Sequence, residues 1–311
     1  MKILFMGTPE FAVPSLVALV ESGENVIGVV TQPDRPKGRK QILTPPPVKE
    51  TAEKFKIPIY QPIKIKAPPF LETMKALSPD LAVVVAYGKI LPQIFLDIPR
   101  LGCINVHGSI LPKYRGAAPV HWALIEGEKE TGVTTMLLDA GMDTGPMLRK
   151  GRVLIQPEDT GVSLSHKMSE LGARVLLETI QDIKTKGLHP IPQDSREATY
   201  APILKKEDGE VKWEESAGRI ERKGRALTLW PGMFTYHHKA LLKLIKIEIA
   251  DGSFKGVPGE VLGIENEAIL VAAGEGAVKI SEVQPENGKK MTVSQYLAGH
   301  SMKKGERLGE K

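Results

Sequence analysis

The chain has 311 residues, 41% hydrophobic and 25% charged, enough apolar material to close two separate cores. One cysteine excludes a disulfide framework, and no apolar run approaches a membrane span or a secretory leader, so a reducing cytoplasmic setting is expected. Clustered Cys/His spacings are absent, so no metal is expected, and a net charge of +5 is too small to define a partner unless it is concentrated locally.

Lys2 to Met6 is a short apolar strand, Gly7-Thr8-Pro9 a turn, the residues to Ser22 an amphipathic helix, and Asn25 to Thr31 the next strand. Strand, glycine turn, helix, strand opens a doubly wound α/β domain with a mostly parallel sheet. The turn GTPEF lacks the GxGxxG spacing, so no nicotinamide site is read there. Gln32 to Lys49, QPDRPKGRKQILTPPPVK, is long for a strand–helix connection and carries no core pattern. From Arg35 to Lys66 there are nine Lys/Arg against two acids, a local charge of +7. Such focusing suits a phosphate-rich partner, and it equally suits a solvated loop. Pro68 to Leu77 reads as a helix, Leu81 to Tyr87 as a buried strand, and Gly88 to Pro92 as the loop after it.

Cys103 to Val106 is another strand, breaking at Gly108 into a loop held by Pro112, Gly116 and Pro119. Period-two geometry puts Cys103, Asn105 and His107 on one side and Ile104 and Val106 on the other. Cys103 reads as a small core residue, with a reactive thiol as the alternative. After a helix near Val120 to Gly127 and a strand from Gly132 to Leu138 comes the polar loop Asp139 to Pro146, with Asp143 among turn residues. In open parallel sheets ligands bind at the carboxyl edge. Asn105, His107 and Asp143, carried on two such strand ends, can form one acid/base and hydrogen-bonding cluster, or simply satisfied turns.

A strand from Gly151 to Gln156 and a long helix within Thr160 to Lys186 follow, with His166 read as a surface or packing residue rather than a ligand. Periodicity stops around Gly187 to Lys205, which suggests a catalytic domain at 1–188, a linker at 189–206 and a second domain at 207–311. After a helix near Glu214 to Leu227, five short strands with Gly/Pro turns fit a small OB-type β-barrel, and the tail from Gly299 is expected to fray.

The run NVHGSILPKYRGAAP, followed by DTG, resembles the folate-dependent formyltransferase motif Asn-x-His-Gly-Ser-Leu-Leu-Pro with a distal Asp. Ile110 for a Leu is the sole departure in its first half. TQPDRPKGR resembles the insertion with which the methionyl-tRNA formyltransferases of that superfamily grip the acceptor end of tRNA, and AYGKILP is similar to their folate-side loop. The resemblance implies a Rossmann-like sheet without a dinucleotide, 10-formyltetrahydrofolate as donor, no metal, and the α-amino group of initiator methionyl-tRNA as acceptor. It assigns catalysis to Asn105, His107 and Asp143. It assigns the folate pocket to Tyr87, Gly88, Lys89, Ile90 and Leu91, with Ser109, Ile110, Leu111 and Pro112. It assigns tRNA contact to Arg35, Lys37, Arg39 and Lys40, Arg39 foremost, in a protein expected to be monomeric. A sugar-nucleotide formyltransferase shares the catalytic motif but offers a basic loop far fewer phosphates. Glycinamide ribonucleotide formyltransferase would leave Asp208 to Lys311 unexplained, and an RNA-binding protein on a dead scaffold would not need all three polar residues intact.

Overall fold

A computed structural model describes residues 1–38, 41–265 and 267–310. They form two compact units, the first from Met1–Val120, Glu130–Leu154 and Ser165–Pro202, the second from His121–Lys129, Ile155–Leu164 and Ile203–Lys311.

The first unit opens with β1 (Lys2–Gly7), α1 (Val13–Glu21) and β2 (Asn25–Val30). Pro14 sits in the first turn of α1, where a missing N–H loses no helical bond. The basic segment then folds as a hairpin, β3 (Arg35–Lys37) with β4 (Ile42–Thr44), an element that its prolines hid from the strand pattern. α2 (Pro47–Lys54), β5 (Ile59–Tyr60), α3 (Pro68–Leu77), β6 (Leu81–Val85), α4 (Gln93–Leu96) and β7 (Cys103–His107) follow. The chain continues through β8 (Arg115–Gly116), α5 (Pro119–Glu126), β9 (Glu130–Leu137), β10 (Met147–Leu154) and α6 (Gly161–Lys186), of which α5 from His121 and the start of α6 to Leu164 belong to the second unit.

Seven strands make one sheet in the order β10-β9-β7-β6-β1-β2-β5. From β7 to β5 every pair is parallel, whereas β9 runs antiparallel to β7, and β10 antiparallel to β9. All five residues of β6 are buried, so both faces of the sheet centre are covered. Each buried Val or Leu there contributes about 1.5–3 kcal/mol. The unit is thus a mixed α/β fold on a parallel-dominated sheet. Residues 189–202 lie along it: Met147 and Ile191 exchange backbone hydrogen bonds of 2.8 and 2.7 Å, and β11 (Tyr200–Ala201) pairs with β8. A polar, proline-rich stretch satisfies its backbone at a sheet edge without apolar periodicity.

In the second unit, α7 (Ala217–Ala226) starts at Ser216, whose Oγ accepts from the Arg219 amide. An antiparallel sheet follows: β12 (Met233–His237), β13 (Ala240–Ile249), β14 (Val261–Glu265), β15 (Ala268–Ala272) and β16 (Ala277–Pro285), in the order β12-β13-β16-β15-β14. β17 (Met291–Thr292) pairs with β16 and leads into α8 (Val293–Leu297) through a Thr292/Gln295 capping box. The strand pairing establishes this antiparallel sheet, with β12 and β14 outermost, and among the described residues no pair closes it into a barrel. The tail does not fray. Met302 and Leu308 are buried, Val261 and Glu306 share the edge of β14, and the Gly309 amide donates to the Tyr236 carbonyl on β12 at 2.8 Å. Lysines and arginine dominate its composition, but two apolar anchors decide its position. No helix among the described residues is long and apolar enough to cross a membrane.

Cys103 is 2% exposed, and burial, helped by the Asp97 charge, pushes its thiol up to about 12. Almost no thiolate exists near neutrality. A thiol-specific reagent at about pH 8 should leave the native chain unmodified and label one cysteine per chain after denaturation. Rapid labelling of the folded protein would show that this face of β7 opens.

Candidate active site

β7 carries the first two polar groups. Its alternation turns Ile104 and Val106 to one face, where Gly172 lets α6 come close: a Cβ there would meet Val106 Cγ1 at 3.1 Å. Asn105 and His107 share the opposite face, with His107 5% exposed. The chain then makes a turn locked from several sides. Ser109 Oγ donates to the Lys113 carbonyl (2.6 Å), and Thr134 Oγ1 donates to the Ser109 carbonyl (2.7 Å) while accepting from the Leu111 amide (3.1 Å). Lys150 Nζ donates to the Leu111 carbonyl at 2.6 Å. Tyr114, at φ +60°, presents its carbonyl oxygen 3.0 Å from His107 Nε2. A carbonyl can only accept, so Nε2 carries the hydrogen, and Nδ1 is the nitrogen that faces Asp143.

Asp143 arrives differently from the expectation. The sequence reading put its loop at the same sheet edge as the end of β7. β9 is antiparallel to β7, with Ile104 opposite Leu137 and His107 opposite Thr134, so the loop leaves beside Cys103, at the other end. It folds back along β7 until Asp143 Oδ2 lies 3.6 Å from His107 Nδ1 and Asp143 Oδ1 lies 3.5 Å from Asn105 Nδ2. Periodicity reports which face a side chain takes, not which way its strand runs.

The returning loop is held firmly. The Gly116 amide donates to Asp143 Oδ2 at 2.8 Å, and Gln193 Nε2 donates to the carbonyls of Asp143 (2.8 Å) and Gly145 (2.7 Å). Gln193 is itself aimed by buried Arg115, whose Nε and Nη2 donate to its Oε1 at 3.1 and 2.8 Å. Asp139 Oδ1 accepts from the Gly141 amide and Thr144 Oγ1, closing the loop's first turn. Asp143 adopts φ +53°, a left-handed conformation that costs a residue with a side chain about 1 kcal/mol and persists only where its surroundings fix it.

The residues expected around a folate differ in exposure. Tyr87 and Leu91 belong to a core cluster with Phe95 and Cys103, and burial pushes the Tyr87 hydroxyl up to about 12. Gly88 makes the turn at φ +84°, and Lys89 Nζ donates to the Pro62 and Ile63 carbonyls. Ile90 is 84% exposed. Ser109, Leu111 and Pro112 are buried in the locked turn, and Ile110 is half-buried against Gly132. Arg35 and Lys37 stand exposed on β3, whereas Arg39 and Lys40 lie outside the described residues. Lys49 is not free for a partner: it pairs with Asp34 at 2.7 Å. Hydrogen bonds from Gln61 and Lys49 hold that carboxyl below its usual range. Sequence reasoning missed Gln193, which sits in the apparent linker. Arg115 and Gly116 were legible only as part of the KYRG run.

Residues 1–180 match the formyl transferase family, and residues 203–301 match the formyl transferase C-terminal domain family. The chain is 49% identical over 311 residues to a methionyl-tRNA formyltransferase from Citrifermentans bemidjiense, covering 100% of this chain and 97% of that one. Its fold is similar to an N-formyltransferase from Helicobacter canadensis, solved in complex with folinic acid and dTDP-3-aminofucose (TM-score 0.69, 18% identity, 92% of this chain and 100% of that one). It is also similar in fold to a methionyl-tRNA formyltransferase from Clostridium thermocellum (TM-score 0.57, 18% identity, 81% and 95%).

The packing of Gly145 gives a direct test of the folded-back loop. A methyl group there would be driven into the Leu137 carbonyl oxygen. Gly145→Ala should lower stability by about 1–3 kcal/mol in denaturant unfolding. It should also shift the Gly116 amide resonance, because that amide reports where Asp143 stands. An unmoved Gly116 signal would mean that the loop absorbs the methyl without displacing the carboxylate.

Proposed function

The chain belongs to the formyl transferase family, and on that footing we propose how its residues carry a formyl group from folate to methionyl-tRNA. The enzyme formylates the free amino group of methionyl-tRNA, which supplies translation initiation, and its family draws the formyl group from formyl-folate. The observation that carries the mechanistic reading is the convergence of Asn105, His107 and Asp143, with both side-chain separations at 3.5–3.6 Å.

The amino nitrogen attacks the formyl carbon of 10-formyltetrahydrofolate, an oxyanion forms, and the bond from that carbon to N10 of the folate breaks. An α-amino group titrates near ~7.7–8, and an ester on the same residue lowers it, so much of the nucleophile is already neutral. The larger demand is the oxyanion. Asn105 Nδ2 is assigned to donate to it, since its present acceptor is only a distant carboxylate oxygen. His107 Nε2–H is occupied by the Tyr114 carbonyl, so Nδ1 takes the proton from the attacking nitrogen and returns it to N10. Asp143 faces that nitrogen and stabilises the imidazolium between the two transfers. The Tyr114 carbonyl helps to hold the ring, and Asp143 supplies charge.

The folate is assigned to the two loops Tyr87–Leu91 and Ser109–Pro112, which the locked turn and the exposed Ile90 support. The basic hairpin, Arg35 and Lys37 with Arg39 and Lys40, is assigned to tRNA phosphates. Residues 207–311, read as an OB-type barrel, are assigned to the body of the same tRNA, in a cytoplasmic monomer. Incubation with 10-formyltetrahydrofolate and either methionyl-tRNA or an aminosugar nucleotide tests the acceptor, the amine that becomes formylated deciding it.

His107→Ala and Asp143→Asn should each lower kcat at least ~100-fold with folate affinity retained. Gln193→Leu, which touches no reacting atom, should lower kcat by up to about 100-fold through misplacement of Asp143, with the folate KM held. A folded His107→Ala variant near wild-type kcat would remove the proton relay. For the hairpin, Arg35→Ala combined with Lys37→Ala should flatten the log–log salt dependence of tRNA binding by about 0.7–0.9 per lost contact. An unchanged slope would make the hairpin a solvated insertion.

A further inference from the structure

The second unit contains a polar cluster that formyl transfer does not use. β12 ends at His237, and His238 and Lys239, at φ +49° and +67°, make the two-residue turn into β13. The tail brings Glu306 to the same place, held by the bond from the Val261 amide to its carbonyl and by the Gly309 amide on Tyr236. His237 is 3% exposed, and its Nδ1 lies 2.8 Å from the Tyr296 hydroxyl. Its buried Nε2 has no hydrogen-bond partner among the described residues, and neither has Glu306 Oε2. That oxygen stands 3.6 Å from His237 Nε2 and 3.5 Å from His238 Nε2. The three ligand atoms all lie within 4.8 Å of one another.

These separations are too long for direct N–H···O bonds, which close to about 2.7–3.2 Å. They do fit the edge of a coordination tetrahedron. Ligands at about 2.0–2.2 Å from a tetrahedral ion stand about 3.3–3.6 Å apart. We propose that His237, His238 and Glu306 form a zinc-type divalent metal site, with three protein ligands and a fourth position open to solvent, which fastens the tail to the β12–β13 turn. Two imidazoles and one carboxylate suit a borderline cation; Mg²⁺ and Ca²⁺ take oxygen ligands throughout.

Tyr296 supplies the outer partner that a metal-bound histidine needs. With Nδ1–H donated to the phenol oxygen, the Nε2 lone pair points at Glu306 and the ion. Tyr296 is itself 3% exposed and stacks on His300 with ring centroids 4.3 Å apart, so its hydroxyl is well fixed. The His238 ring now stacks on His237 at 4.1 Å, and closing on an ion requires it to turn out of that stack. It is on the turn with its side chain 68% exposed, so that movement is open to it. An adjacent His–His pair and a Glu sixty-nine positions later match no spacing rule, which is why the sequence alone pointed to no metal.

The test uses the full-length chain without a histidine tag, stripped with a chelator and titrated with Zn²⁺ against a chromophoric competitor. One zinc per chain is expected, with a thermal midpoint that rises with zinc concentration. Co²⁺ substitution should give the visible absorption of a four- or five-coordinate site. His238→Ala and Glu306→Gln each remove a ligand and should weaken zinc at least about 100-fold, and Tyr296→Phe, which removes only the outer partner, about 10-fold. Both His238 and Glu306 can be changed without opening a core, so folded variants are expected. Absence of stoichiometric zinc in the parent chain, or equal zinc in the parent and the His238→Ala and Glu306→Gln variants, overturns the site and leaves an imidazole–carboxylate ion-pair cluster.

Discussion

The antiparallel pairing of β9 with β7 is the constraint on which the Asn105–His107–Asp143 cluster depends. Had β9 run parallel, its following loop would have left beside His107 and needed little support. Because it leaves beside Cys103, the segment to Asp143 must travel back along β7 and be held there against its own freedom. The supports come from three places in the chain: Gly116 on β8, Gln193 beyond α6, and Asp139 within the loop. Arg115 links the first two, being next to Gly116 in sequence and bonded to Gln193 in space. Pairing of β8 with β11 then ties both sides of that link together.

Much of this frame is legible in the residues, and the illegible part has a common cause. The apolar run of β6, the alternation of β7 and the glycine turn after β1 follow from local periodicity, and the elements appear where that periodicity puts them. Asn105 and His107 share a face because residues two apart on a strand must. Strand direction, hairpin pairing between proline-bearing segments and the seat of Gln193 are set by non-local hydrogen bonds, which leave no periodic trace. The KYRG run could be recognised by likeness, yet nothing local says that Arg115 is buried or that it orients a glutamine seventy-eight residues away. The tail shows the converse error: its lysines suggested solvent, and two buried apolar side chains decided otherwise.

Tyr87 to Leu91, proposed for the folate, divide between core and surface. Tyr87 and Leu91 are core residues by burial, so their contribution is to fix the path of the backbone at Gly88 to Ile90. Thr8 Oγ1 and Gln32 Nε2 both donate to the Tyr87 carbonyl, at 3.0 and 3.2 Å, which ties that path to the turn after β1 and to the residues after β2. Anchored in this way, the loop presents backbone and a single exposed isoleucine on a fixed path.

Charge is divided just as unevenly as shape. The cations of α7 are engaged inside their own unit: Arg219 with Glu126 and Glu215, Lys223 with Glu215, and Arg225 with Glu221 and the Asp159 carbonyl. Ion pairs of this kind gain little net stability where solvent reaches them, but they cancel the field that a phosphate would feel. Arg35 and Lys37 are in the opposite situation, exposed on a hairpin that contributes no residue to a core. A net charge of +5 is small over 311 residues, and most of what acts at a distance must come from the segment where cations outnumber acids nine to two. The chain's excess positive charge is therefore concentrated between Arg35 and Lys66, and at physiological ionic strength it acts over a Debye length of about 8 Å.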